Sequence, residues 1–135
     1  MRNSILMAVA AVTLTAAACG GDSSTPTTPT TPTPPGGGGT STATITINSD
    51  GRVSPSSVTI AVGGRVTFVN NHTTSHDMSS DPHPEHTDCP AMAQVGFLSV
   101  GQQRTSGNFT VARTCGFHDH NRELDTGLQG RIVVQ

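Results

Sequence analysis

Apolar and polar residues alternate with the period of a β-strand through much of the C-terminal two-thirds of the chain. In TATITIN, Ile45 and Ile47 point one way and the threonines the other. SVTIAV repeats the pattern with Val58, Ile60 and Val62, and after the Gly63-Gly64 pair RVTFVN sets Val66 and Phe68 on one face. GNFTVAR and the closing GRIVVQ read as strands in the same way, and no window of eleven or more residues carries a helical period. Short alternating strands divided by Gly, Pro, Asn and Asp predict an all-β domain, a β-sandwich with Greek-key connections. SSDPHPEHTDCPAMAQVG, residues 79–96, has three prolines and no strand period, which predicts a long loop excursion.

Ahead of this domain the pattern is different. MRNS carries one positive charge, ILMAVAAVTLTAAA is an apolar run short for a membrane span, and Ala16, Ala17 and Ala18 lead into Cys19. The arrangement resembles a bacterial lipoprotein signal. It implies that residues 1–18 are a signal peptide, that Cys19 is the lipid attachment site, and that the product is exported and anchored to the cell envelope, in the periplasm or at the cell surface. An ordinary secretory signal with Cys19 left as a free thiol is the alternative. Residues 19–41, rich in Pro, Thr and Gly, read as an extended tether, and residues 42–135 as the folded domain.

Composition narrows the choices. Charged residues make up 12% of the 135-residue chain, its net charge is −2, and no Lys/Arg cluster occurs, which excludes electrostatic capture of nucleic acid. With no Trp, no Tyr and four Phe, the core is modest and gains from a covalent or metal staple. All six histidines (His72, His76, His83, His86, His118 and His120) fall between the flanking strands, so a metal site or a proton-sensitive surface is expected there.

VTFVNNHTTSHDM, then TCGFH, then GLQGRIVV follow one another in an order that resembles the cupredoxin family of blue copper proteins. The resemblance spans roughly Thr42 to Gln135. It implies a cupredoxin-like sandwich holding one copper ion, with His76, Cys115 and His118 as ligands of a type 1-like site. Cys115 then ends the next-to-last strand, Gly116 permits a tight turn, and His118 swings back over the ion. Phe117 and Leu128 would form an apolar patch for electron passage to a redox partner protein in the envelope. The family's axial methionine has no counterpart here: Leu128 stands in that position and Gln129 beside it, either leaving three ligands or supplying a weak oxygen.

Cys115 has a competing use. In an oxidising compartment, a Cys89–Cys115 disulfide would stabilise a small domain by about 3 kcal/mol. The metal site would then be a histidine cluster, His76 and His118 joined by His83, His86 or His120, suited to copper or zinc and to metal trafficking. The loop DPHPEHTDCP, with Asp81, Glu85 and Asp88 beside its histidines, is a candidate for a further metal site or a plain polar loop. Structural zinc on both cysteines and two histidines, and a metal-free interaction module, complete the alternatives. No nucleophile–base set or phosphate-binding loop is present, so a carrier rather than an enzyme is expected.

Overall fold

A computed structural model of the chain describes residues 39–135. The expected signal peptide, Cys19 and the tether as far as residue 38 lie outside the described residues.

Eight strands make the domain: β1 (Thr40–Ile47), β2 (Val53–Ser54), β3 (Ser57–Asn70), β4 (His76–Ser80), β5 (Gly96–Leu98), β6 (Gln103–Thr105), β7 (Arg113–Asp119) and β8 (Gly130–Val134). Their order is β2-β1-β3-β8-β7-β4-β5, with β6 on β3. β1 and β8 run parallel to β3, whereas β7 is antiparallel to both β8 and β4. This is a mixed sheet folded over a single core.

The alternation places the core in β1 and β3 through Ile45, Ile47, Ile60, Val66 and Phe68, all fully buried, whereas of the SVTIAV valines Val58 is half-buried and Val62 is exposed beside the Gly63-Gly64 pair. SVTIAV and RVTFVN form one continuous strand rather than two, and its pairing with β1 shifts register between Thr40 and Thr42. Of GNFTVAR only Arg113, which opens β7, is strand. Phe109 buries its ring, and its backbone makes two hydrogen bonds, from Gly63 N–H (2.7 Å) and to the Gly64 carbonyl (3.0 Å), which hold the segment without a ladder.

The excursion is more ordered than its prolines suggest. It starts on the end of β4, makes a 3₁₀ turn at Pro90–Gln94 that buries Met92, and reaches β5. β4 itself escapes an apolar pattern because two of its three buried residues, His76 and Ser80, are polar and only Met78 is not.

Candidate metal centre

The strand β7 decides which side chains meet. It pairs Cys115 with Ile132 and Phe117 with Gly130 on one side, and Asp119 with Met78 on the other, so it stays extended for four residues past Cys115. In an extended strand, residues an odd number apart face opposite ways. Cys115, Phe117 and Asp119 therefore turn toward the core, while Gly116 and His118 turn outward. Cys115 is bonded to Cys89 in a disulfide. The expected set of His76, Cys115 and His118 is corrected on that account: the sulfur is no thiolate, and Cys-x-x-His within a strand cannot converge on one ion.

At the end of β7, where the family resemblance called for a cysteine, stands Asp119. Its carboxylate accepts a hydrogen bond from His76 Nδ1 at 2.7 Å, both side chains being fully buried. Arg122 approaches the same carboxylate at 3.8 Å. Leu128 and Phe117 are buried at 1% exposure each, so they belong to the core and form no surface patch; Phe117 packs edge-on against Phe68. Gln129 donates its amide to the Glu123 carbonyl at 2.6 Å, an engagement unlike an axial ligand's.

On the outer face of β7 four imidazoles gather. One ring nitrogen from each of His83, His86, His118 and His120 lies within 4.8 Å of all the others. Four imidazoles bound to one ion at about 2.0–2.1 Å would put opposed nitrogens roughly 4 Å apart and neighbouring ring centroids about 5 Å apart. The observed centroid separations run from 4.9 Å for His86–His120 to 5.5 Å for His83–His86 and His83–His118.

The rings are held by their far edges. His118 Nδ1–H donates to Asp81 Oδ1 at 2.7 Å, and its Nε2 is a buried side-chain polar atom without a hydrogen-bond partner, singular in that among the described residues. His86 Nδ1–H donates to the Ser80 carbonyl at 2.7 Å, while the Ser80 hydroxyl donates to the His86 carbonyl at 2.9 Å. With Nδ1 protonated, Nε2 of each ring presents a lone pair to the cluster, the arrangement by which outer partners orient metal-binding histidines. His86 Nε2 faces His120 Nδ1 at 2.7 Å. An orphaned buried nitrogen costs about 1–3 kcal/mol unless something engages it, so the donor set fits a transition-metal cation.

Two backbone features serve this arrangement. A Cβ on Gly116 would collide with the Asp81 carboxylate, so the glycine of TCGFH makes room for the group that orients His118 instead of permitting a turn. His86 has φ 53°, the left-handed region that a side chain enters at a cost, and the Ser80 bonds hold it there. His83 is exposed and lines, with His118, Asp81, Glu123 and Gln129, a cavity of about 240 Å³.

The disulfide and the gathering of His118 with His83, His86 and His120 follow the alternative read from the sequence, except that His76 sits apart with Asp119. The orienting role of Asp81, and the His76–Asp119 pair, were missed. The apolar Phe117 between Cys115 and Asp119 is the signal that this stretch continues as a strand.

No protein-family model matches the chain. A plastocyanin from Scenedesmus fuscus is 32% identical over 83 residues, covering 60% of this chain and 84% of that protein. Among solved structures, a novel purple cupredoxin from Nitrosopumilus maritimus superposes with a TM-score of 0.54 at 19% identity, covering 69% of this chain and 99% of that one. Dithionite-reduced auracyanin from Roseiflexus castenholzii gives 0.53 at 17% identity, covering 73% and 99%. With its mixed sheet, its β4–β7–β8 arrangement and its plastocyanin relative, the chain belongs to the cupredoxin family.

Proposed function

We propose that this protein is a copper-binding carrier of the cupredoxin class whose one tightly held ion sits among His83, His86, His118 and His120 rather than on a cysteine thiolate. The observation that carries this reading is the buried, partnerless His118 Nε2 aimed into a cluster of three further imidazoles. Copper heads the divalent affinity order for nitrogen sites, and imidazole serves both of its oxidation states. So held, copper supplies a one-electron couple that a redox partner can draw on. The chain's own part is to present lone pairs: Asp81 and the Ser80 carbonyl fix two rings, and the disulfide ties the segments that bear them.

A second reading, metal delivery, is favoured by the exposure of His83 and the cavity beside it, which leave one flank of the ion open to an incoming ligand. The segments ahead of the domain support an exported, lipid-anchored location, with Cys19 as the anchor and a redox partner in the cell envelope; one domain then works at the end of a Pro/Thr/Gly tether. The test of the site is Cu(II) binding at substoichiometric metal, comparing the parent with a His118→Asn, His120→Asn variant. The reading expects tight binding in the parent and its loss in the variant at unchanged thermal stability. Equal affinity in the two would overturn it.

A further inference from the structure

We infer that the cavity at the Cys89–Cys115 bridge is a site for a zwitterionic amino-acid thiol of the cysteine type, which opens the bridge by thiol–disulfide exchange at Cys89. The consequence for copper rests on the four-histidine reading above; the thiol site itself does not.

The cavity, about 300 Å³, lies between the 3₁₀ turn at Pro90–Gln94 and the irregular segment that carries Phe109. Pro90, Ala91, Phe109 and Val111 give it apolar walls, and Cys89 and Cys115 line it as well. The walls are tied in place: Gly107 N–H donates to the Ala91 carbonyl at 2.9 Å, and the Phe109 backbone is bonded to Gly63 and Gly64. None of the four clustered histidines borders it, because Cys115 faces the inner side of β7 and His118 the outer. An apolar hollow with a few polar groups converging on it is the common form of a small-molecule site.

Arg113 and Asp88 also line the cavity, guanidinium and carboxylate 3.7 Å apart and each nearly half exposed. So loose a pair contributes little on its own. A free amino acid complements both charges: its carboxylate pairs with Arg113 and its ammonium with Asp88, leaving the side chain to enter the hollow. There it meets the disulfide. Cys89 keeps 3% exposure and Cys115 none, so a nucleophile in the cavity reaches Cys89. A thiol is the amino-acid side chain that exchanges with such a bond.

The incoming thiolate forms a bond to Cys89 Sγ, the Cys89–Cys115 bond breaks, and its electron pair leaves on Cys115, which takes a proton from water. A second molecule of the thiol attacks the mixed disulfide at the amino-acid sulfur, releasing the symmetrical disulfide and Cys89 as a thiol. Two thiols are oxidised and one bridge is reduced. Because that bridge ties the segments bearing His86 and His118, opening it loosens the copper ligands.

The experiment follows bridge opening in the metal-free protein by free cysteine and by neutral 2-mercaptoethanol at equal thiolate concentration, with alkylation and mass spectrometry as the readout. It is run on the parent, on Arg113→Gln, Asp88→Asn, and on the parent unfolded in urea. Both charged side chains are half-exposed, so the variant is expected to keep the parent's thermal midpoint. Relative to the unfolded chain, the inference expects cysteine to open the folded bridge on the order of fivefold faster than 2-mercaptoethanol, with the preference lost in the variant and the trapped adduct on Cys89. Equal selectivity in the folded and unfolded parent, a preference kept by the variant, or an adduct on Cys115 overturns it. The isolated cysteinyl adduct, freed of excess thiol, should then bind copper about tenfold more weakly than the parent. Unchanged affinity there would sever the four-histidine centre from the bridge while the thiol site stands.

Discussion

Opening the Cys89–Cys115 bridge tests the disulfide's role in both stability and metal binding. Cys89 follows His86 by three residues and Cys115 precedes His118 by three, so the bond ties the two ligand-bearing segments at equivalent distances from their histidines. For a closed loop with a sequence separation of 26 residues, the chain-entropy relation gives about 3.5 kcal/mol of stabilisation. Urea unfolding of the metal-free protein, with and without a phosphine reductant, should show a loss of that order, read as a lower midpoint. For copper, the folded but uncoupled segments must be ordered on binding, and about a tenfold weaker affinity is expected in Cys89→Ala, Cys115→Ala, or ~1.4 kcal/mol. The bound copper should keep its spectrum, since no sulfur touches it. Superimposable unfolding curves with the bridge open and closed would refute the reasoning, and a changed copper spectrum in the cysteine-free protein would refute the imidazole assignment.

Asp81→Asn removes the charged acceptor that orients His118; the side chain is half-exposed, so stability should hold within about 0.5 kcal/mol while copper affinity falls about 10–100-fold in a competition titration. Gly116→Ala should displace the Asp81 carboxylate, costing roughly 1–3 kcal/mol in urea unfolding and weakening copper binding in the same direction as Asp81→Asn. His76→Ala strips the buried Asp119 carboxylate of its closest partner, and a loss on the order of 3 kcal/mol is expected by denaturation, with copper at the outer centre retained. An unchanged midpoint there would mean that the pair contributes nothing to the fold.

The alternating segments were legible because each has one wet and one dry face. Ile45, Ile47, Ile60, Val66 and Phe68 announce β1 and β3 by period alone. β4 was not legible that way, since its buried His76 and Ser80 are satisfied by Asp119 and by the His86 backbone, partners more than forty residues away or across a turn. GNFTVAR misled because Phe109 is buried from an irregular segment, where burial has no period. At the site, composition located the histidines in one region and could not say which would converge. Cys-x-x-His reads as a turn motif by resemblance, whereas the backbone carries it as strand to Asp119, and that single difference moves His118 to the outer face beside His83, His86 and His120. Family membership followed from the order of strands and from sequence likeness, which do not specify the ligands.

The most direct test of the central claim is the visible and electron paramagnetic resonance spectrum of the protein loaded with one equivalent of Cu(II), taken alongside a thiol titration of the unfolded, unreduced domain. Four imidazoles predict weak d–d absorption, nitrogen hyperfine structure and no reactive thiol at Cys89 or Cys115. An intense visible charge-transfer band together with a free thiol at Cys115 would contradict the account.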